Sequence, residues 1–356
     1  ARQAVRPGRA RRAGRRLTRA PVHQIENATG LAAATFLAAD PEGVETVYAV
    51  VKGTFALGPR HDGGEPPLAP VQAPVAAAAT HHGQPDASSV RMPADVGLAK
   101  PSTDVLLVAR AHAPGDHPTT AMDVTLTAGP LRRTARIIGD RVWQPRDGGA
   151  FAASDARPFT RMPLVWERAF GGAGDGGAAP DARNPVGVGR LAAAGAPLPN
   201  LEDPDALLGG GAAGAAPAPV GFAPVAEHWL PRLVYAGTYD EAWQRSRAPY
   251  LPADFDPRFL QLAPPELIAP AYFVGGEPVE VTGVTPGGQL RFEVPRVAVE
   301  VTYVVAGAAE RRPARLDTVL IEPDNRRVLV TWRAALRCDK RALRVETVHV
   351  AAERAS

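Results

Sequence analysis

Runs of β-branched and aromatic residues, separated by short polar clusters, occupy both ends of the chain and predict strands rather than helices. Near the N-terminus, Thr46-Val47-Tyr48-Ala49-Val50-Val51-Lys52-Gly53-Thr54-Phe55 follows the turn-forming Asp40-Pro41-Glu42-Gly43. Asp104 to Ala111, Met122 to Thr127 and Leu131 to Trp143 read as further strands, the last with a turn at Gly139-Asp140. Toward the C-terminus, PVEVTGV, TPGG and QLRFEV spell strand, turn, strand. PRVAVEVTYVVAG, RLDTVLI, RRVLVTWRAAL and ALRVETVHV follow, and Glu322-Pro323-Asp324-Asn325 predicts a hairpin between Asp317–Ile321 and Val328–Trp332.

The middle of the chain has no such pattern. From Gly171 to Pro219 it is dominated by Gly, Ala and Pro, which predicts a long loop over the surface, with NPVGVG and PLPNLE as ordered pieces. A short helix is expected at Tyr239 to Ser246, with Thr238 as its N-cap, Glu241 completing a capping box, and Pro249 preventing continuation. The expected fold is mainly β: two antiparallel β-sandwich-like regions joined by a long irregular segment with one or two short helices. The boundaries are a disordered arginine-rich tail at 1–20, an N-terminal β region at 21–165, the connecting segment at 166–275 and a C-terminal β region at 276–356. The connecting segment is too long and too apolar in places for a free linker, so the two β regions are expected to pack as one body.

Composition agrees with this picture. Proline and glycine number 37 and 35, which argues against a long-helix bundle. Only three lysines occur, Lys52, Lys100 and Lys340; the excess of arginine reflects a genome rich in G and C and carries no functional weight. The net charge of +3 is uneven: eight arginines and no acid lie within residues 1–19, and without them the chain stands at −5. That tail reads as a disordered leader rather than a nucleic-acid or lipid-binding arm, so no nucleic-acid partner is expected. No apolar run approaches the ~18 residues of a membrane helix, so no membrane insertion is expected. Cys338 is the single cysteine, which fits a reducing compartment and a cytoplasmic location, and it sits where a packed core residue is expected.

Candidate chemistry concentrates in TYDEAWQRSRAPYLPADFDPRF, residues 238–259. Asp254 and Asp256 are two apart, which in an extended segment places both carboxylates on one side roughly 7 Å apart. Glycoside hydrolysis uses two carboxyls at about that spacing or closer, and Glu167 or Asp240 would complete such a site. The alternative is that the aspartates cap turns and bind arginine. His81, His82 and Asp86 do not form a metal motif, because neighbouring residues on a strand alternate faces. Gly171–Gly177 resembles a phosphate loop in composition alone, and no GxSxG elbow is present. No metal or cofactor is therefore expected. Trp166-Glu167-Arg168, and Trp229 with Arg232 in HWLPR, combine indole and guanidinium groups. Exposed, they would grip a partner; buried, they would lock loop to sheet.

KPSTDVLLVARAHAP, GDRVW, FTRMPLVWERAFGG, NPVGVG, PLPNLE, the stretch from GFAPVAEHWLPR to FLQLAPPEL, and YFVGGEPVEVTGVTPGGQLRFEVP occur in one order. In that series the chain resembles, over roughly Gln24 to His349, a bacterial domain family of unknown function encoded in type VI secretion clusters near VgrG and PAAR genes. The resemblance implies a non-enzymatic adaptor or chaperone that binds an effector in the cytoplasm and helps load it onto the VgrG spike. Some relatives are fused to pentapeptide repeats, and this chain has no five-residue periodicity. It implies no catalytic residue. The expected partner surface is Trp229, Arg232, Tyr239, Trp243, Arg247, Asp254, Asp256 and Arg258, for an effector and a VgrG or PAAR protein. A carbohydrate- or peptidoglycan-active hydrolase, or a carbohydrate-binding module, is the alternative.

Overall fold

The run from Thr46 to Phe55 lies within strand Glu45–Ala56 in a computed structural model, which describes residues 24–58, 62–174, 177–208 and 217–354. The arginine-rich tail lies outside the described residues. The fold is mainly β, with two α-helices among the described residues, α1 (Leu230–Leu233) and α2 (Glu241–Ser246), and no barrel.

Glu45–Ala56 is buried on both faces along nearly its whole length, which explains its run of apolar and β-branched residues, interrupted by Lys52. It pairs antiparallel with Ala32–Ala39 on one side and with Arg327–Arg337 on the other. Arg315–Glu322 and then Asp104–Leu107 complete this five-stranded central sheet, the last pair running parallel. The hairpin expected at Glu322–Asn325 is present, with Arg326 in the left-handed region at its end. Gly53 is required here, because a Cβ would come within 2.6 Å of the Phe55 ring.

A second sheet runs Leu201–Glu202, Leu131–Ile138, Ala121–Ala128, Pro278–Thr282, Gln289–Glu293, antiparallel throughout. Its alternation is the half-buried kind: Val124, Leu126, Ala135 and Ile137 face the core, while Thr125–Thr134 and Asp123–Arg136 pair on the other side. A third sheet joins Gln24–Asn27, Val345–Arg354, Val297–Val305 and Ala308–Pro313. Val301, Tyr303 and Val348 from it pack against Val47, Ala49 and Leu336 of the central sheet, with Cys338 buried among them.

The two strand-rich ends share sheets, as the pairing of Glu45–Ala56 with Arg327–Arg337 requires. The middle of the chain closes the main core rather than only wrapping it. Trp166, Leu201, Phe222, Val225 and Trp229 join Leu126 and Val281 of the second sheet, and Leu106 and Trp332 of the central sheet, in one apolar cluster.

Across the central sheet runs a polar row. Lys52, Thr331, Thr318 and Asp104 stand in register on four adjacent strands, so their side chains share a face. The irregular chain before Asp104 folds over them and supplies the opposite charges. Asp95 accepts from Lys52 Nζ at 2.7 Å, and Lys100 donates to Asp104 at 2.8 Å and to Thr318 at 2.5 Å. Beside them the Arg333 guanidinium bonds Asp317 at 2.7 Å and the carbonyls of Asp95 and Gly97. All of these charged groups are buried. Burial on this scale is tolerable only because each charge meets a partner.

Candidate functional site

The stretch that concentrates the aromatic and charged residues divides in two. At one end, Trp229 is 1% exposed, its ring edge-on to Trp166 at 5.8 Å, and its indole N–H donates to His228 Nε2. Arg232, one helical turn on in α1, donates Nε–H to the Phe259 carbonyl and Nη1–H to the Val225 carbonyl, and lies over the Phe259 ring. Trp229, expected on a partner surface, is packed into the core instead, and Arg232, expected there too, ties the segment to it while staying partly accessible. A ring with no accessible area has nothing to offer another protein. Trp166 behaves likewise: it is buried and donates to the carbonyls of Ala223 and Pro224. Asn184 supports it from below, donating to the carbonyls of Trp166 and Phe170.

At the other end the chain turns outward. Helix α2 begins later than Thr238 capping would require. Asp240 is the N-cap, accepting from the Trp243 N–H at 2.8 Å. Thr238 is unavailable because its N–H and hydroxyl both donate to Asp254. Tyr239 and Trp243 meet edge to face at 4.8 Å, and the Trp243 indole N–H donates to the Tyr250 carbonyl. Arg247 donates to the carbonyls of Leu251 and Pro41, which ties this lobe to the turn before the central strand. Among the described residues, five of the large exposed apolar side chains fall between 230 and 250: Leu230, Leu233, Val234, Tyr239 and Tyr250. Leu230, Leu233 and Val234 were not singled out by the sequence pattern. Their signal was LPRLVY, an apolar run too short to be a strand of the main core.

The two aspartates do not face each other as a catalytic pair. Asp254 accepts from the Thr238 backbone and hydroxyl, which hold its carboxyl below the usual range. Asp256 is bonded by the Arg258 guanidinium and backbone, with the same effect. Arg258 also stacks over the Tyr235 ring, 4.3 Å from its centroid. Glu167 accepts from the Ser89 N–H and hydroxyl at 2.7 and 2.8 Å, and Asp240 caps α2. Each of the four carboxylates named for hydrolysis is thus engaged in holding backbone or arginine.

His82 is pushed below its ordinary pKa by burial. Among the described residues, no group of three His, Cys, Asp or Glu side chains is placed to hold a metal ion. Two of the glycines that suggested a phosphate loop serve close packing: a Cβ on Gly171, at φ +147°, would lie 2.2 Å from the Asn184 carbonyl, and one on Gly172 2.0 Å from the Gly187 carbonyl. No helix among the described residues is long and apolar enough to cross a membrane.

A family described as an uncharacterized protein conserved in bacteria (DUF2169) matches residues 42–333, more than half of the chain. No curated protein and no solved structure matches it.

Proposed function

Since the chain belongs to this family of proteins conserved in bacteria, we propose that it is a non-enzymatic adaptor that binds a type VI secretion effector in the cytoplasm and helps load it onto a VgrG or PAAR spike protein. The observation that carries the reading is the crowding of exposed apolar side chains around α1 and α2, on a lobe pinned to a rigid sheet by Arg247. Tyr239 and Trp243, braced against each other, are the kind of anchor that dominates protein interfaces. Trp229 and Arg232 support that lobe from inside, and Asp254, Asp256 and Arg258 shape its turns. The engagement of Asp240, Asp254, Asp256 and Glu167 supports this reading over hydrolysis.

Trp243→Ala combined with Arg247→Ala is expected to weaken effector capture at least ~10-fold, as loss of two central anchors does. The stability cost should be about 1–2 kcal/mol, because three side-chain-to-carbonyl bonds are lost. Pull-down from the native host with the wild-type and double-variant proteins, followed by mass spectrometry, checks this. Recovery of a VgrG or PAAR protein with a toxin by the wild type alone upholds the reading; equal recovery by a folded variant removes this lobe from the interface. A Leu233→Glu variant, which alters a half-exposed side chain and no side-chain hydrogen bond, separates surface loss from unfolding.

A further inference from the structure

A cavity of about 470 Å³ opens between the irregular chain around residues 79–98 and the lock at Val225–Arg232 and Phe259–Leu262. That volume lies within the range of small-ligand sites. Its walls are mixed: Val90, Val96, Leu98, Val225 and Leu262 are apolar, while Arg232, His81 and His228 are basic, and Asp86 and Glu227 are its acids. Lys100 and Arg333 reach its wall too, but each is already matched, by Asp104 and Asp317.

Arg232 is the cation left over. Its two bonds go to neutral carbonyls and engage two of the five guanidinium donors. Among the described residues no carboxylate lies within ion-pair distance of it; burial lowers its basicity, and the more distant charges of Glu227 and Asp104 oppose that. A largely desolvated guanidinium that no carboxylate touches binds an incoming anion more strongly than an exposed one, because water competes less. One free fork suits a planar monovalent carboxylate; a dianionic phosphate would call for more than one unmatched cation.

We infer that this cavity takes a carboxylate carried on a short apolar segment, of the kind found at the end of a polypeptide with an apolar last residue. In its polypeptide form the inference rests on the adaptor reading, because the chain end would then belong to the cargo. Arg232 grips the carboxylate, and Val90, Val96 and Leu98 cover the side chains behind it.

The test titrates acetyl-Leu-Leu with a free carboxylate, the same dipeptide as its C-terminal amide, and hexanoate against the full chain, read by calorimetry and by indole fluorescence. Trp229 reports because it bonds His228 in the cavity wall. The free acid should bind at least tenfold tighter than the amide. Arg232→Gln should abolish that difference. Ala94→Phe fills the cavity while leaving Arg232 in place, and it should weaken the free acid at least tenfold even if Arg232→Gln fails to fold. Equal binding of acid and amide, no binding of the acid, or full affinity in a folded Ala94→Phe protein overturns the inference. Hexanoate binding as tightly as the dipeptide upholds the site and assigns it to a free acid; tighter dipeptide binding upholds it and assigns it to a chain end. Effector capture without acid selectivity sinks the cavity and leaves the adaptor reading, and acid selectivity without effector capture does the reverse.

Discussion

Replacing Lys100 with methionine is expected to destabilise the protein by about 3–5 kcal/mol, the cost of stranding a buried charge. Among the described residues, the Lys100 ammonium is the only cation bonded to Asp104, whose side chain is fully buried among the strands of the central sheet. Asp104 Oδ2 also accepts from the Leu262 N–H, and Oδ1 has no hydrogen-bond partner among those residues, so the backbone alone cannot carry the charge. Burial already pushes this carboxyl above the ordinary aspartate range, with Lys100 as the main opposing influence. A carboxyl whose folded pKa exceeds its unfolded value favours folding in its protonated form. That contribution is complete below the unfolded pKa of about 3.9 and is lost as pH rises through the folded value. The deficit of Lys100→Met should therefore shrink as pH falls from about 7 to about 5, because Asp104 can then take up a proton in place of its partner. Adding Asp104→Asn should restore most of the loss, since an amide oxygen still accepts from Leu262 and carries no charge. Urea unfolding of the single and double variants at both pH values decides it. A deficit unchanged by pH, and not relieved by Asp104→Asn, would mean that the pair is not the source of the cost.

Trp229→Ala should cost about 3–5 kcal/mol, as the loss of a fully buried indole does. Trp243→Ala should cost far less stability, because its ring is only partly buried and its contacts are local. The contrast separates the two ends of a segment that looks uniform in sequence. Trp229 touches Trp166 and sits in the same cluster as Phe222 and Val225, so its removal opens a cavity that the sheets cannot collapse into. Thermal or urea unfolding of both variants makes the comparison. A loss below about 1 kcal/mol at Trp229 would contradict its placement in the core.

The strands were legible because β-branched runs with turn residues between them leave few other structures open to the chain. The Glu322–Asn325 hairpin and the hairpin around Thr285–Gly288 are local, and each formed where expected. What could not be read was pairing between distant segments. Nothing near Thr46 announces that Arg337 will lie opposite it. The division of aromatic–arginine pairs into lock and surface was hidden for the same reason: Trp229–Arg232 and Trp243–Arg247 have similar spacing and similar neighbours, and only tertiary packing distinguishes them. Asp240 and Thr238 were both competent caps, and the choice depended on Asp254, far along the chain in the next turn. One usable signal lay in the lysines. In a chain that uses arginine almost everywhere, two of its three lysines, Lys52 and Lys100, occupy the buried polar row. A compact ammonium fits there where a planar guanidinium would need more room and more acceptors.

The central sheet has a consequence for biosynthesis. Its strand Glu45–Ala56 is translated more than two hundred residues before its longest partner, the middle strand Arg327–Arg337. Until then a twelve-residue, largely apolar and β-branched ribbon waits with one edge unpaired, the condition that invites aggregation of nascent chains. Prematurely terminated products should accordingly be insoluble, and holding factors at the exit tunnel should matter more for this protein than for one built from neighbouring hairpins.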